Sequence, residues 1–294
     1  MAITAALVKE LRDRTQAGMM ECKKALEASN GDIEKAIEKM RKEGQAKAVK
    51  KAARATAEGI VVVLSSATAK QAVLVEVNCE TDFVAREERF KQFAKMAGEK
   101  ALAQKINTIE ALQAVTDEDR LNLVSQLGEN VTVRRLAYQE TPDGVIGVYA
   151  HGDANGVRIG SMVVLKNGSL ELAKDLAMQV AAMNPEFIQA ADVPLARLDK
   201  EKEIMTAQTL EQVREDGKPI EMVEKIVAGK LKKFATEVSL LGQAFVRDPA
   251  KTVEKLLAET TSIVENFVRF EVGEGVEKKE DNFVEEVMAQ VRGG

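Results

Sequence analysis

Of the residue types that most often carry nucleophilic or acid–base chemistry near neutral pH, this chain has few: two cysteines, Cys22 and Cys79, and a single histidine, His151. A nucleophilic thiolate needs a cation, a helix N-terminus or a base nearby to lower its pKa. Cys79 is instead followed by Glu80 and Asp82, whose charges would raise it. His151 sits in a valine-rich hairpin pattern with no cysteine or serine partner close in sequence, so a structural or interface role outweighs acid–base catalysis. The cysteines lie in unrelated segments without metal-ligand spacing, which points to reduced, buried thiols rather than a disulfide framework or a zinc site. No GxxxxGKS/T loop occurs, and GVIGVYAHG at 144–152 has the wrong spacing for a dinucleotide turn. No catalytic residue, metal, cofactor or directly bound nucleotide is therefore expected. Loss of function on replacing Cys79 or His151, with folding intact, is the observation that would favour an enzyme.

Chemistry by binding is better supplied. In LVEVNCETDFVAREERF at 74–90, a strand pattern breaks into a short polar loop that carries one aromatic, Phe83, into a charged helix. On its own residues, Phe83 reads as a core side chain or a staple at the helix start. Met19 and Met20 cannot both point inward from one short helix, so one is expected in a core and the other at the surface, where a thioether adapts to a partner. Lys47, Lys50, Lys51 and Arg54 fall along one side of a helical pattern. They carry no interleaved aromatics to stack on bases, so a solvated face is favoured over RNA binding. The RNA-associated alternative would show itself as binding that falls steeply with salt.

The elements that must position these residues are legible from periodicity. Residues 4–43 read as three short helices: Thr4 caps the first, with Leu7, Val8 and Leu11 inward, and TQAG at 15–18 ends it. The second carries Cys22, Ala25 and Leu26, and the third opens at Asp32 with Ile33, Ala36, Ile37 and Met40 on one face. Valine runs at 60–78 and 145–165 read as two hairpins, each followed by helices and closed by a strand, VTVRRLAY or FVRFEV, which makes a loose internal repeat. Between them, Leu195, Leu198, Met205 and Val213, then Ile220, Val223, Val227, Leu231 and Phe234, make two apolar stripes joined at DGKP, 216–219, as expected for a helical hairpin or coiled coil.

The expected fold is therefore α+β: a three-helix, ubiquitin-associated-like partner-binding bundle at 1–44, a basic helical linker at 45–58, and a central pair of related subdomains with antiparallel sheets at 59–140 and at 141–189 with 236–275. An inserted helical hairpin occupies 190–235 and a C-terminal helical module, with FVEEVMAQV at 283–291, occupies 276–294. The hairpin could support a weak homodimer. A chain of 294 residues is long enough for more than one core. Its 45% hydrophobic and 30% charged residues are those of a soluble protein, and no apolar run approaches the ~20 residues of a membrane span. The net charge of −5 weighs against a protein devoted to a nucleic-acid backbone. The first residues lack the pattern of a signal or transit peptide, so a cytoplasmic location is expected.

The run at 74–90 resembles the signature of the elongation factor Ts family, and LVKELRDRTQAGMMECKKALEASNGDIEKAIEKMRKEG at 7–44 resembles that family's N-terminal module. GENVTVRR at 128–135, HGDANGVRIG at 151–160, NPEF at 184–187 and FVRFEVGEG at 267–275 continue the likeness over nearly the whole chain. The resemblance implies a guanine nucleotide exchange factor that binds the translational GTPase elongation factor Tu, displaces its Mg²⁺ and releases GDP. It implies that Thr81, Asp82, Phe83 and Val84 contact the GTPase, Phe83 inserting into its nucleotide domain. It further implies that Leu11, Arg12, Met19 and Met20 dock the N-terminal module and that His151 is a contact, although the turn in HGDANGVRIG looks longer than the family pattern.

Overall fold

The computed structural model describes residues 3–15, 17–215 and 219–276. The expected helix at 283–291 and most of the DGKP turn lie outside the described residues.

The chain opens with α1, Ala5–Thr15, α2, Met19–Ala28, and α3, Ile33–Lys51. Thr4 accepts the Leu7 N–H at 3.3 Å and Asp32 accepts the Lys35 N–H at 3.0 Å, satisfying donors that a helix start leaves open. Leu11, Cys22, Ala25, Leu26 and Ala36 form the shared core of the bundle. The basic stretch at 45–58 is not a separate helical linker. Nothing in it breaks a helix before Lys51, so α3 runs through as one rod, and its Ala48 packs into the next core. Arg54, expected on the same helical face, lies beyond the helix end.

Two three-stranded antiparallel sheets follow, built on one plan. The first pairs β1, Glu58–Ser65, with β2, Gln71–Cys79, and β2 with β3, Val131–Glu140; between β2 and β3 the chain forms α4, Asp82–Arg86, α5, Glu88–Ala103, and α6, Ile109–Leu127. The second pairs β4, Val145–Asp153, with β5, Gly156–Lys166. After β5 come α7, Leu170–Met183, the hairpin helices α8, Leu195–Glu215, and α9, Met222–Glu237, a ribbon of β6, Ala244–Phe245, and β7, Asp248–Thr252, then α10, Val253–Thr260. β8, Ile263–Glu271, closes the sheet against β5. The β6–β7 ribbon is too short to leave a periodic signal, and α10, although Val253, Leu256 and Leu257 recur at helical spacing, is not among the expected elements. The mixed helix and sheet architecture is the expected α+β class.

The sheets stack face to face, which explains valine runs that do not alternate with polar residues. On β2, Val73, Val75 and Val77 pack with Phe90, Phe93, Leu112 and Val124 of α5 and α6. Ala72 and Leu74, on the opposite face, meet Ile146, Met162, Val164 and Phe270 of the second sheet. α7 covers the outer side of that sheet through Leu176 and Val180. Two glycines permit this spacing. A Cβ at Gly160 would come 2.6 Å from Val61 Cγ1, and one at Gly147 would come 2.1 Å from the Ala173 carbonyl carbon of α7.

Helices α8 and α9 enclose a small core of Val213, Val223 and Val227, with Met205 and Ile226 against it. Ile220 and Leu195, counted in the apolar stripes, are exposed instead, because α9 begins only at Met222 and Leu195 is the first residue of α8. Among the described residues no helix is long and apolar enough to cross a membrane.

One carboxylate lies fully buried on β2, on the face that meets the second sheet. Glu76 pairs with Arg135, Val77 with Val133, and Arg134 is the extra residue of a β-bulge, so consecutive arginines reach the same acid. Arg134 Nη1 donates to Glu76 at 3.0 Å, Arg135 Nε donates to its other oxygen, and the Asn78 amide and the Gly273 N–H donate at 3.0 and 2.9 Å. Burial by itself would raise the Glu76 pKa; the bonds from Gly273, Arg135 and Asn78 outweigh it and hold the carboxyl below its ordinary value. Its contribution is thus complete above the unfolded carboxyl value of ~4.3 and is lost as pH falls through the lower folded value. Glu76→Ala is expected to lower unfolding free energy by about 3 kcal/mol in urea titrations at pH 7. The gap from the native chain should shrink at acid pH; a gap that stays constant or widens there contradicts this role.

Candidate functional site

The site is built at the C-terminal end of β2. Cys79 ends the strand and Glu80 turns the chain. Thr81 then caps α4, its hydroxyl accepting the Val84 N–H at 3.4 Å. A five-residue helix cannot stand alone, since nucleation costs more than so few bonds return. It is held by the segment between α6 and β3. The Glu129 carboxylate accepts the Thr81 N–H at 3.0 Å and the Thr81 hydroxyl at 2.7 Å, while the Glu80 carboxylate accepts the Asn130 N–H at 2.6 Å. The two segments therefore clamp each other reciprocally. Asn130 ties them further to the segment that follows α3, donating to the Arg54 carbonyl at 3.0 Å.

From this turn the four expected contact residues point different ways. Val84 is buried in the first-sheet core, Thr81 is occupied as the cap, and Asp82 is half-exposed, paired with Arg86 at 2.5 Å. Phe83 is 76% exposed. It is neither the core residue nor the staple that its own pattern suggests, because Val84 and Ala85 already fill the inward side of the turn. The ring is therefore open to solvent and free to meet another molecule.

The second hairpin approaches the same turn. Asp82 and Arg86 share an open groove with Asp153, Asn155 and Arg158 of the β4–β5 hairpin, and Lys91 of α5 donates to the Ala154 carbonyl at 3.2 Å. Only Ala154 and Asn155 separate the two strands. His151 is exposed on β4 opposite Ile159, its ring stacked on Tyr149 with centroids 6.3 Å apart.

The N-terminal residues belong to a different groove. Arg12, Met19 and Met20 line it together with Val8 and Lys23, and neither His151 nor the Thr81–Val84 turn takes part. Met19 and Met20 are 58% and 65% exposed, so neither enters the core as one was expected to; Cys22, Ala25 and Leu26 already supply the α2 share of that small interior. Leu11 is fully buried, so it can support the groove only from behind. Glu80 and Glu129 carry the turn, yet neither stood out in sequence. The signal available was the GEN run at 128–130, whose acid has a role only once β3 brings it beside β2.

Cys79 is buried and donates to the Thr81 carbonyl at 3.1 Å. Burial first, then Glu129 and Glu58, push its thiol up to about 12; the carboxylates that act are these two and not the adjacent Glu80 and Asp82. Among the described residues, no group of three or more His, Cys, Asp or Glu is placed to hold a metal ion.

Stacked sheets sheathed in helices, a small bundle with exposed methionines and a clamped turn that presents an aromatic define an α+β protein with two exposed apolar surfaces. Comparison with known proteins makes this specific. Residues 80–274 match the family model described as Elongation factor TS. Over 297 residues, covering 99% of both chains, the sequence is 53% identical to elongation factor Ts of Legionella pneumophila strain Philadelphia 1. It is 52% identical to that of Thioalkalivibrio sulfidiphilus over 300 residues, covering 100% of both, and 52% identical to that of Yersinia pestis strain Pestoides F over 289 residues, covering 98% of both. The chain belongs to the elongation factor Ts family, and its function lies in translation elongation.

The burial and raised pKa of Cys79 set its reactivity. Alkylation at pH 8 followed by peptide mass spectrometry should show Cys79 modified at least 100-fold more slowly in the folded chain than in urea. Equal rates would mean that the β2 end opens readily and that the turn is not held.

Proposed function

We propose that this chain is a guanine nucleotide exchange factor that binds elongation factor Tu in its GDP form and promotes GDP release so that GTP can enter. The observation that carries this reading is Phe83, exposed on a turn whose backbone is fixed at both ends. A GTPase holds its nucleotide through phosphate contacts, a bound Mg²⁺ and switch elements ordered around them. An aromatic wedged between the elements behind that site displaces the Mg²⁺ and weakens all three. Because the geometry of the wedge is set before binding, little ordering entropy opposes insertion. Asp82 adds charge beside the wedge, and Arg12, Met19 and Met20 supply a second foothold on the GTPase; His151, on the neighbouring hairpin, is a further contact.

The protein contributes binding energy and no covalent chemistry. Exchange needs no nucleophile, and Cys79, with its thiol pushed up to about 12, is unsuited to be one. Nor does exchange require this chain to bind nucleotide. Its place of work is that of elongation, the cytoplasm. The RNA-associated alternative loses support, because Lys51 donates to the Gly128 carbonyl at 2.6 Å and Arg54 pairs with Glu80 at 3.4 Å, so these two basic groups serve the fold.

The test is the release rate of a fluorescent GDP analogue from elongation factor Tu. The native chain should accelerate release strongly. Phe83→Ala should weaken the effect by roughly 30- to 1000-fold, from a hot-spot share of ~2–4 kcal/mol. Its own stability should change by less than about 0.5 kcal/mol, as expected of an exposed side chain. Acceleration by neither protein would overturn the function, and equal acceleration by both would overturn the wedge.

A further inference from the structure

We propose that Glu129 is a positioning residue for Phe83: it acts through Thr81, to which both of its oxygens are bound, and exchange depends on it because it sets where the aromatic points. The inference rests on the exchange reading and goes beyond it, since Glu129 lies outside the Thr81–Val84 motif. Both of its carboxylate oxygens are spent on Thr81, one on the N–H at 3.0 Å and one on the hydroxyl at 2.7 Å. A hydroxyl has one proton and two lone pairs. With its proton committed to Glu129, Thr81 Oγ1 must turn a lone pair outward, and that lone pair receives the Val84 N–H that starts α4. Glu129 thus selects the rotamer in which Thr81 caps the turn.

Phe83 lies between cap and capped residue, and at 76% exposure it has little packing of its own to define its direction. Its orientation follows from the backbone at 82–84. The mutual arrangement with Glu80 keeps Glu129 in register, since Glu80 holds the N–H of the very next residue, Asn130, at 2.6 Å. A glutamine at 129 can keep its oxygen on the Thr81 N–H, but it presents an NH2 donor where the Thr81 hydroxyl donates now, so that charge-assisted bond is lost or reversed and the hydroxyl proton is released. The turn would then sample other directions for Phe83 while the sheets stay intact.

A double-mutant cycle separates positioning from a general structural role. GDP-analogue release from elongation factor Tu is followed at increasing concentrations of the native chain, Glu129→Gln, Phe83→Ala and the double variant, each checked for its unfolding midpoint. Glu129→Gln alone should reduce exchange about tenfold, the loss of a hydrogen bond to a charged group. Added to Phe83→Ala it should change exchange less than twofold, because a residue that acts through Phe83 has nothing left to position. Independent losses that multiply, or an unchanged single variant, would overturn the proposal. A readout without the partner keeps the two readings apart: amide hydrogen exchange at residues 81–86 should quicken about tenfold in Glu129→Gln while β2 stays protected. If the native chain fails to release GDP, the exchange reading falls, and the amide result alone decides whether Glu129 orders the turn. Should Glu129→Gln fold poorly, Thr81→Val removes the same hydroxyl bond and must reproduce the loss; native behaviour of that variant would also overturn the proposal.

Discussion

A carboxylate buried in the seam between two sheets governs this molecule. Glu76 occupies a position on β2 where its neighbours Ala72 and Leu74 are apolar, and an unpaired charge there would cost several kcal/mol. It is tolerated because the β3 bulge delivers both Arg134 and Arg135, and because Gly273, just past β8, donates its N–H from the other sheet. Arg135 then reaches the Glu271 carbonyl at 2.7 Å and lies over the Phe270 ring at 4.4 Å. The same charge that would be a liability alone makes the stacking of the sheets specific. Sliding one sheet on the other would remove the Gly273 donor and the Arg135 bond to the Glu271 carbonyl.

Rigidity of that stack is what allows the surface to carry exposed apolar groups in fixed directions. β2 runs from the Glu76 seam directly into Cys79, Thr81 and the clamped turn, so the placement of Phe83 is inherited from the best-buried strand of the fold. The α4 turn is therefore a rigid extension of the core rather than a loop. The bundle is tied on by different means: Gln126 donates to the Thr15 carbonyl at 3.1 Å, Arg41 pairs with Glu118, and α3 continues into the first core through Ala48. Two exposed apolar elements thus stand on one scaffold. In the proposed exchange mechanism, that arrangement lets binding energy gathered at the methionine groove be spent at the phenylalanine.

Much of the fold was legible because helical and strand periods are local. Ile33, Ala36, Ile37 and Met40 declared a helix face, and valine runs declared the strands of two hairpins, whose cover on both sides is seen only in the fold. What periodicity reports is angle, not the extent of a core, and for that reason Met19 and Met20 were divided between inside and outside when both are exposed. Glu76 and Glu129 escaped notice for a related reason. Arg134 lies 58 residues from Glu76 and Thr81 lies 48 from Glu129, and an acid in a strand or after a glycine carries no local mark of the partner it will meet. Phe83 was singled out by its resemblance to a known motif, against the bland reading of its own residues. Its exposure is a physical reason that sequence spacing could not provide.

If the chain loosens the nucleotide site by differential binding, the coupling must run both ways. The most direct measurement is the equilibrium affinity of this chain for elongation factor Tu without nucleotide and with saturating GDP, set beside the affinity of elongation factor Tu for GDP with and without the chain. The exchange mechanism predicts that GDP weakens the protein complex by the same factor by which the chain weakens GDP. An affinity for elongation factor Tu that GDP leaves unchanged would contradict it, however tightly the two proteins bind.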